Sequence, residues 1–396
     1  MISIIHDVAD ESDMTRSNWV KPWTNSSPKS QTYELSNTVK CQLKLTLLFD
    51  YFSLSHYRYC IVFLLIKEMD AKTMRAIQYK SYGGGAASLQ NVEIQIPKPK
   101  KNEVLVKIES SSINPADWKL QKGMLRPFFP FKFPFTPVTD VAGEVVEIGP
   151  QVTAFKVGNK VVCKLNFLKG GGLAEYAVVS EKETVLRPDE VSPSDAAGLP
   201  IAGLTALQSL KSIGTKFDGT GKAATILVTA ASGGVGSYAV QLAKLGGHHV
   251  TATCGARNID LVRSLGADEV LDYNTPEGQS LKNSSGKQYD YIINCTTGVS
   301  WSVLKPNLSE NGVVMDIAPN ISNMLAFIWG IFTFSKKKLK IIVLSLGKGD
   351  LQFLVGLVRE GKLKTIIDSK YLFDNAQDAW SKSVDGHATG KIIIEM

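Results

Sequence analysis

The sequence predicts an α/β protein of two parts, an antiparallel, barrel-like β half followed by a doubly wound parallel sheet. Three observations predict it. The chain has 396 residues, well beyond the roughly 100 to 200 of one ordinary domain. From Met74 onward, short alternating runs are separated by Pro, Gly and Asn, the pattern of strands joined by turns. After Pro200 the pattern becomes strand, helix, strand, the rhythm of a parallel sheet with crossover helices.

Taken in order, residues 1–68 read unlike the rest, polar through Lys40 and then apolar from Leu43 to Ile66. Lys44, Asp50, His56 and Arg58 interrupt the apolar stretch, leaving no segment of the ~20 apolar residues that span a bilayer. Asp7, Asp10, Glu11 and Asp13 argue against an acid-poor transit peptide. The composition predicts an extension outside the fold, with Met69 and Met74 as alternative starts. The first half then reads as strands over 75–79, 92–96, 104–108 and 143–148. The second reads as strands over 226–229, 250–253, 269–271 and 291–294, with helices over 237–245 and 259–265. A helix over 350–359 and a last strand over 391–395 return to the first half.

Composition narrows the function. Hydrophobic residues make up 44% and charged residues 20%, in the globular range and unlike disordered or polytopic membrane chains. The net charge of +7 lies outside residues 1–68, which balance seven basic against seven acidic side chains. That modest surplus suits cofactor phosphates or anionic lipid and lacks the clustered Arg/Lys runs of nucleic-acid binders. Cys41, Cys60, Cys163, Cys254 and Cys295 are scattered, odd in number and without a C-x-x-C pair, which argues against a disulfide framework and for a reducing compartment.

The strongest motif is Thr229-Ala230-Ala231-Ser232-Gly233-Gly234-Val235-Gly236, between an expected strand and an expected helix that ends at Gly246-Gly247. Ala231-x-Gly233-x-x-Gly236 has the spacing of a dinucleotide turn, with Ala in the first place. Gly233 would let the backbone approach a pyrophosphate and Gly236 would let helix and strand pack closely. Such sheets often place a carboxylate about 20 residues on, against the ribose hydroxyls. Here the second strand ends Thr253-Cys254-Gly255-Ala256-Arg257-Asn258, small residues and a guanidinium suited to a 2′-phosphate, which favours NADPH over NADH.

With Asn114-Pro115-Ala116-Asp117 and Val138-Thr139-Asp140-Val141-Ala142-Gly143, these residues resemble the medium-chain dehydrogenase/reductase superfamily, nearest its quinone oxidoreductase branch. Asp117-Trp118-Lys119, the run from Lys169 to Glu175 and Asp385-Gly386-His387-Ala388-Thr389-Gly390-Lys391 resemble plant members of that branch. The resemblance covers residues 69–396 and implies a GroES-like β-barrel catalytic domain over 69–196 and 336–396, with a Rossmann NADPH-binding domain over 197–335. It further implies a homodimer, and a place at the stromal face of the inner chloroplast envelope without a cleaved transit peptide. The superfamily's zinc alcohol dehydrogenases bind their catalytic metal at positions that are Asn114, Thr139 and Ile201 here. An amide, a hydroxyl and an alkyl group cannot build that site, so no metal is expected. His248, His249 and His387 read as surface or loop residues.

What the resemblance leaves is metal-free hydride transfer to an electron-poor carbon: the β-carbon of an α,β-unsaturated ketone, long-chain oxylipin ketones included, or a quinone. A membrane-associated scaffold that binds NADPH without turnover is the rival from another class. Addition at the β-carbon puts charge on the carbonyl oxygen, so a preplaced donor and a proton source are needed. By resemblance, Asn114, Lys119 and Thr139 lie near the nicotinamide. Related reductases often carry a Tyr where Lys119 stands, and Lys119 reads either as an oxyanion or cofactor contact or as a solvated lysine. The resemblance adds Thr205, Tyr273, Cys295 and Lys391 to the cofactor residues Ser232, Gly233, Gly234, Val235, Gly236, Thr253, Gly255, Arg257 and Asn258. Met324 to Phe334, followed by Ser335-Lys336-Lys337-Lys338, reads either as a buried strand or subunit contact, or as a peripheral membrane foothold.

Overall fold

A computed structural model describes residues 72–396, apart from 125, 127–129, 131, 334 and 346; the expected extension over 1–68 lies outside the described residues. The first strands are β1 (Thr73–Gln78), β2 (Gln90–Gln95), β3 (Glu103–Ile113), β4 (Asp140–Ile148), β5 (Lys160–Lys164), β6 (Tyr176–Ser180) and β7 (Thr184–Leu186), with helix α1 (Pro115–Gln121) between β3 and β4. Alternation in β3 and β4 sends Val104, Val106, Ile108, Val141 and Val145 into one buried cluster with Val161, Cys163 and Val179. That burial, at about 25 cal/mol per Å² of apolar surface, favours the curled antiparallel sheet.

Helices α2 (Pro193–Ala197) and α3 (Pro200–Ser212) lead into a second sheet. Its elements are β8 (Thr225–Val228), α4 (Gly234–Leu245), β9 (His249–Cys254), α5 (Ile259–Ser264), β10 (Glu269–Asp272), α6 (Pro276–Ser280), β11 (Tyr289–Asn294), α7 (Trp301–Leu304), β12 (Leu308–Asp316), α8 (Ile321–Phe332) and β13 (Lys338–Ile341). The six strands are parallel, in the order β10-β9-β8-β11-β12-β13. Chain order reverses between β8 and β11, so their C-terminal ends open the crevice where α/β sheets bind ligands.

After α9 (Lys348–Arg359), β14 (Ile367–Leu372) and α10 (Ala376–Asp385), the last strand β15 (Lys391–Glu395) pairs antiparallel with β3, Ile392 opposite Ile113. The expected return of the chain end to the first half is thus present. It places Lys391 beside α1 and the start of β4, and this one pairing assembles much of the site.

Two expectations need correction. Residues 321–332 form a helix rather than a buried strand, and Leu325, Trp329, Ile331 and Phe332 on it are exposed. A continuous apolar run does not by itself distinguish strand from helix, and the Asn320 side chain decides by capping the Asn323 N–H. His248 is buried rather than on the surface: its Nδ1 accepts from the Ala224 N–H at 3.2 Å and its Nε2 meets Thr215 Oγ1 at 2.9 Å. Its polar ring is buried because both nitrogens are satisfied, and burial lowers its pKa.

Candidate active site

The cofactor turn is built from both sides. Thr229, just past β8, donates its hydroxyl to Asn294 Oδ1 at 2.8 Å and accepts from the Cys295 N–H at 2.9 Å, closing the switch point. Ala231 N donates to Thr253 O at 2.8 Å and Ala230 N to Thr253 Oγ1 at 3.3 Å, so Thr253 braces the turn from behind. Gly233 caps α4, and its carbonyl accepts the first helical bond, from Ser237 N at 2.9 Å. A Cβ on Gly236 would sit 2.3 Å from Ala230 O and 2.7 Å from Ala231 Cα, so only glycine lets helix and turn approach this closely. Gly233, Gly234, Val235 and Gly236 thus present the N-terminus of a twelve-residue helix, a cradle that fits a dinucleotide pyrophosphate.

The residues expected on the adenosine side gather at the end of β9. Asn258 Nδ2 donates to Ser232 Oγ at 3.1 Å, and the Asn258 Oδ1 accepts from Thr389 Oγ1 at 3.3 Å. Arg257 donates from Nη2 to the His387 carbonyl. Tyr273 is half exposed, and its hydroxyl lies 3.0 Å from where a Cβ on Gly255 would stand. Ser232, Gly255, Arg257, Asn258 and Tyr273 are therefore brought together. Cys295 packs at the end of β11, where burial raises its thiol pKa well above the ordinary range, the behaviour of an inert, protonated sulfur.

The second half of the site is a buried polar cluster. Asn114 caps α1, its N–H donating to Asp117 Oδ2 at 2.7 Å. Its Nδ2 donates to Asp140 Oδ2 at 2.9 Å and Ser112 O at 3.2 Å, and its Oδ1 accepts from Lys391 Nζ at 2.5 Å. Asp140 Oδ2 also accepts from Ile201 N at 3.1 Å, tying in the first turn of α3. Burial pushes the Asp117 carboxyl up to about 7 and the Asp140 carboxyl up to about 6, while it lowers the Lys391 ammonium. The Thr139 hydroxyl, 2% exposed, has no hydrogen-bond partner among the described residues.

Three expected residues sit differently in detail. Thr205 lies within α3, its hydroxyl donating to Ile201 O at 2.7 Å. Lys119 is half-buried on α1 with its ammonium 5.6 Å from the Trp118 ring centroid, and burial lowers its pKa. Lys391 reaches Asn114. Asp117 and Asp140 carry parts in the cluster that the sequence reading did not assign, although both stand in the motifs quoted above. The three-residue spacing of Asn114 and Asp117 was the available signal, a capping arrangement.

Asn114 and Ile201 both bond Asp140, and Thr139 adjoins it in the chain, so the three positions that the resemblance assigns to zinc ligands gather around Asp140. The donors present do not fit a metal. The amide is held between an ammonium and a carboxylate, and a divalent cation there would face the Lys391 charge.

Residues 100–189 match the family described as alcohol dehydrogenase GroES-like domain, and residues 265–394 the family described as zinc-binding dehydrogenase. The chain is similar to the chloroplast envelope quinone oxidoreductase homologue of Arabidopsis thaliana, 61% identical over 328 residues, which are 83% of this chain and 100% of the relative. It is also similar to the NADPH-dependent alkenal/one oxidoreductase, chloroplastic, of Arabidopsis thaliana, 34% identical over 82% of this chain and 80% of the relative. Among solved structures, the quinone oxidoreductase from Coxiella burnetii superposes with a TM-score of 0.72 at 28% identity, covering 82% of this chain and 100% of that one.

Proposed function

The chain belongs to the medium-chain dehydrogenase/reductase superfamily, among its quinone oxidoreductase homologues, and on that premise we propose a zinc-independent, NADPH-dependent reductase of α,β-unsaturated ketones. The observation that carries the proposal is the junction of the two half-sites: Gly390 N donates to Ser232 O at 2.8 Å in the cofactor turn, and its neighbour Lys391 bonds Asn114. A dinucleotide seated on the turn would thus reach a group of buried polar side chains, and no three metal-ligating residues cluster among the described residues.

Bound there, the nicotinamide would supply a hydride for the β-carbon of the substrate, and water the proton for its α-carbon. The chain's part is to bind, orient and stabilise. Arg257, Asn258 and the amides near Gly255 receive the 2′-phosphate, and the amides at the start of α4 receive the pyrophosphate. Thr139 holds the spare donor for the carbonyl oxygen as charge develops on it, since Asn114 has both Nδ2 hydrogens engaged. Lys119, half-buried on α1 beside Trp118, can add positive potential to the site.

The relative named an alkenal/one oxidoreductase supports the enone reading. The relative named a quinone oxidoreductase homologue supports quinone reduction as the second reading. The names also support a chloroplast location, and the exposed apolar face of α8 supports peripheral contact with a membrane. The test is NADPH consumption against a panel of short and long enones and of quinones. Turnover of enones with kcat/KM above that of quinones is expected. Faster quinone turnover would replace the substrate class, and failure of bound NADPH to be oxidised by any acceptor would leave only the scaffold reading.

A further inference from the structure

Lys391 is 3% exposed at the first position of β15. An ammonium this deep must be paired, and its partners are the Asn114 amide oxygen and the charges of Asp140 and Asp117. These groups fix which way the amide points. Reversed, its NH2 would face the ammonium and its oxygen the Asp140 carboxylate, two repulsions in place of two hydrogen bonds.

The same short run of chain also touches the cofactor residues. His387 O receives Arg257, Thr389 Oγ1 donates to Asn258 Oδ1, and Gly390 N donates to Ser232 O. The Lys391 stem passes the turn so closely that a Cβ on Gly234 would lie 3.1 Å from Lys391 Cδ. Its ammonium, however, ends beyond the turn, on an amide beside two carboxylates, a setting that repels a phosphate.

We propose that Lys391 is a positioning residue: it holds the Asn114 amide, and through Asp140 the first turn of α3, in register with the cofactor turn, and does not ligate a cofactor phosphate. The inference rests on the NADPH-dependent reading above and names how that site is kept in geometry.

The test compares Lys391→Met, Lys391→Arg, Asn114→Ala and the double variant Asn114→Ala/Lys391→Met. NADPH affinity is read by fluorescence titration, stability by thermal unfolding, and kcat and KM with an enone. For Lys391→Met we expect NADPH affinity within about twofold of wild type, with kcat at saturating cofactor about ten- to a hundredfold lower, the scale of a misplaced site. Lys391→Arg, which keeps the cation and a donor, regains part of kcat. The double variant loses little more than Asn114→Ala alone, in turnover and in unfolding, because the contact that Lys391 makes is already gone in that single variant.

A tenfold weaker NADPH affinity in Lys391→Met, with kcat recovered at saturation, would overturn the inference in favour of a phosphate ligand, as would additive losses in the double variant. Should Lys391→Met not fold, Lys391→Arg decides: a change in kcat at unchanged NADPH affinity supports positioning, and a weaker NADPH affinity at unchanged kcat overturns it. The affinity and unfolding arms need no turnover. A wild type that binds NADPH but reduces no acceptor therefore sinks the functional reading while these arms still judge Lys391.

Discussion

Arg257, at the end of the second parallel strand, donates to the backbone carbonyl of His387 on the loop before the last strand. The arginine therefore ties the proposed adenosine side of the cofactor site to the loop that carries Lys391. One Nη2 bond leaves the rest of the guanidinium fork free for a 2′-phosphate.

A charge-assisted bond to that phosphate is worth about 1.5 to 3 kcal/mol when shielded, or one to two powers of ten in affinity. Arg257→Ala should raise the Michaelis constant for NADPH by about that factor and leave that for NADH nearly unchanged. Turnover at saturating NADPH should hold, since the contact is remote from the reacting carbon. Steady-state kinetics with both cofactors checks it; a variant with wild-type preference for NADPH would pass the phosphate contact to Asn258 and the amides of Gly255 and Ala256.

Gly236 should be intolerant of the smallest addition. Alanine there meets backbone atoms on both sides, Ala230 O at 2.3 Å and Ala231 Cα at 2.7 Å, and backbone cannot yield as a side chain can. Gly236→Ala should cost on the order of 1–3 kcal/mol of stability, the range for overpacking, and weaken NADPH binding by distorting the turn. A melting curve and a fluorescence titration would show it; a variant that kept both unchanged would contradict the close approach.

How much of this was legible beforehand depended on how far apart the interacting residues lie. The cofactor turn is local, and its spacing from Ala231 to Gly236 could be read directly. The Lys391–Asn114 bond joins residues 277 positions apart and exists because β15 pairs with β3, which no local pattern encodes. The burial of Asp117 and Asp140 follows from the same pairing, so their sequence context as ordinary carboxylates concealed their part. His248 looked like a surface residue because its two partners, Thr215 and Ala224, come from a loop and a strand entry. Lys119 could not be resolved from sequence because its reach depends on the packing of Trp118.

The buried carboxyls imply a pH signature. Desolvation by burial raises Asp117 from its ordinary value of 3.8 to about 7. The folded state then holds this proton more tightly than the unfolded chain does. The group's contribution to stability is fully present below 3.8 and is lost as pH rises through about 7. Asp117→Asn, whose side-chain oxygen can still accept the Asn114 N–H, should remove that loss. The variant's melting temperature should gain on wild type between pH 4 and 7 and run parallel outside that window, as measured by thermal unfolding across a pH series. Parallel curves throughout would show that Asp117 takes up its proton in the fold over the same pH range as in the unfolded chain.

The last prediction concerns α8. Its twelve residues include no charged side chain, and Leu325, Trp329, Ile331 and Phe332 are more than 60% exposed. A helix of that length spans about 18 Å, short of a ~30 Å hydrocarbon core, and no helix among the described residues is long and apolar enough to cross a membrane. Beside it run Lys336, Lys338 and Lys340, exposed at and before the edge strand β13. Lysines on an edge disfavour strand pairing with another copy and suit anionic headgroups, while the aromatics suit the interface below them. Flotation with vesicles should therefore show binding to mixtures rich in phosphatidylglycerol, weaker binding to neutral phosphatidylcholine, and a loss with rising salt. The double substitution Trp329→Ser/Phe332→Ser should abolish flotation while NADPH oxidation persists. If instead the variant floats as wild type does and becomes monomeric in sedimentation, the face belongs to a second copy of the chain, and membrane contact must be sought elsewhere.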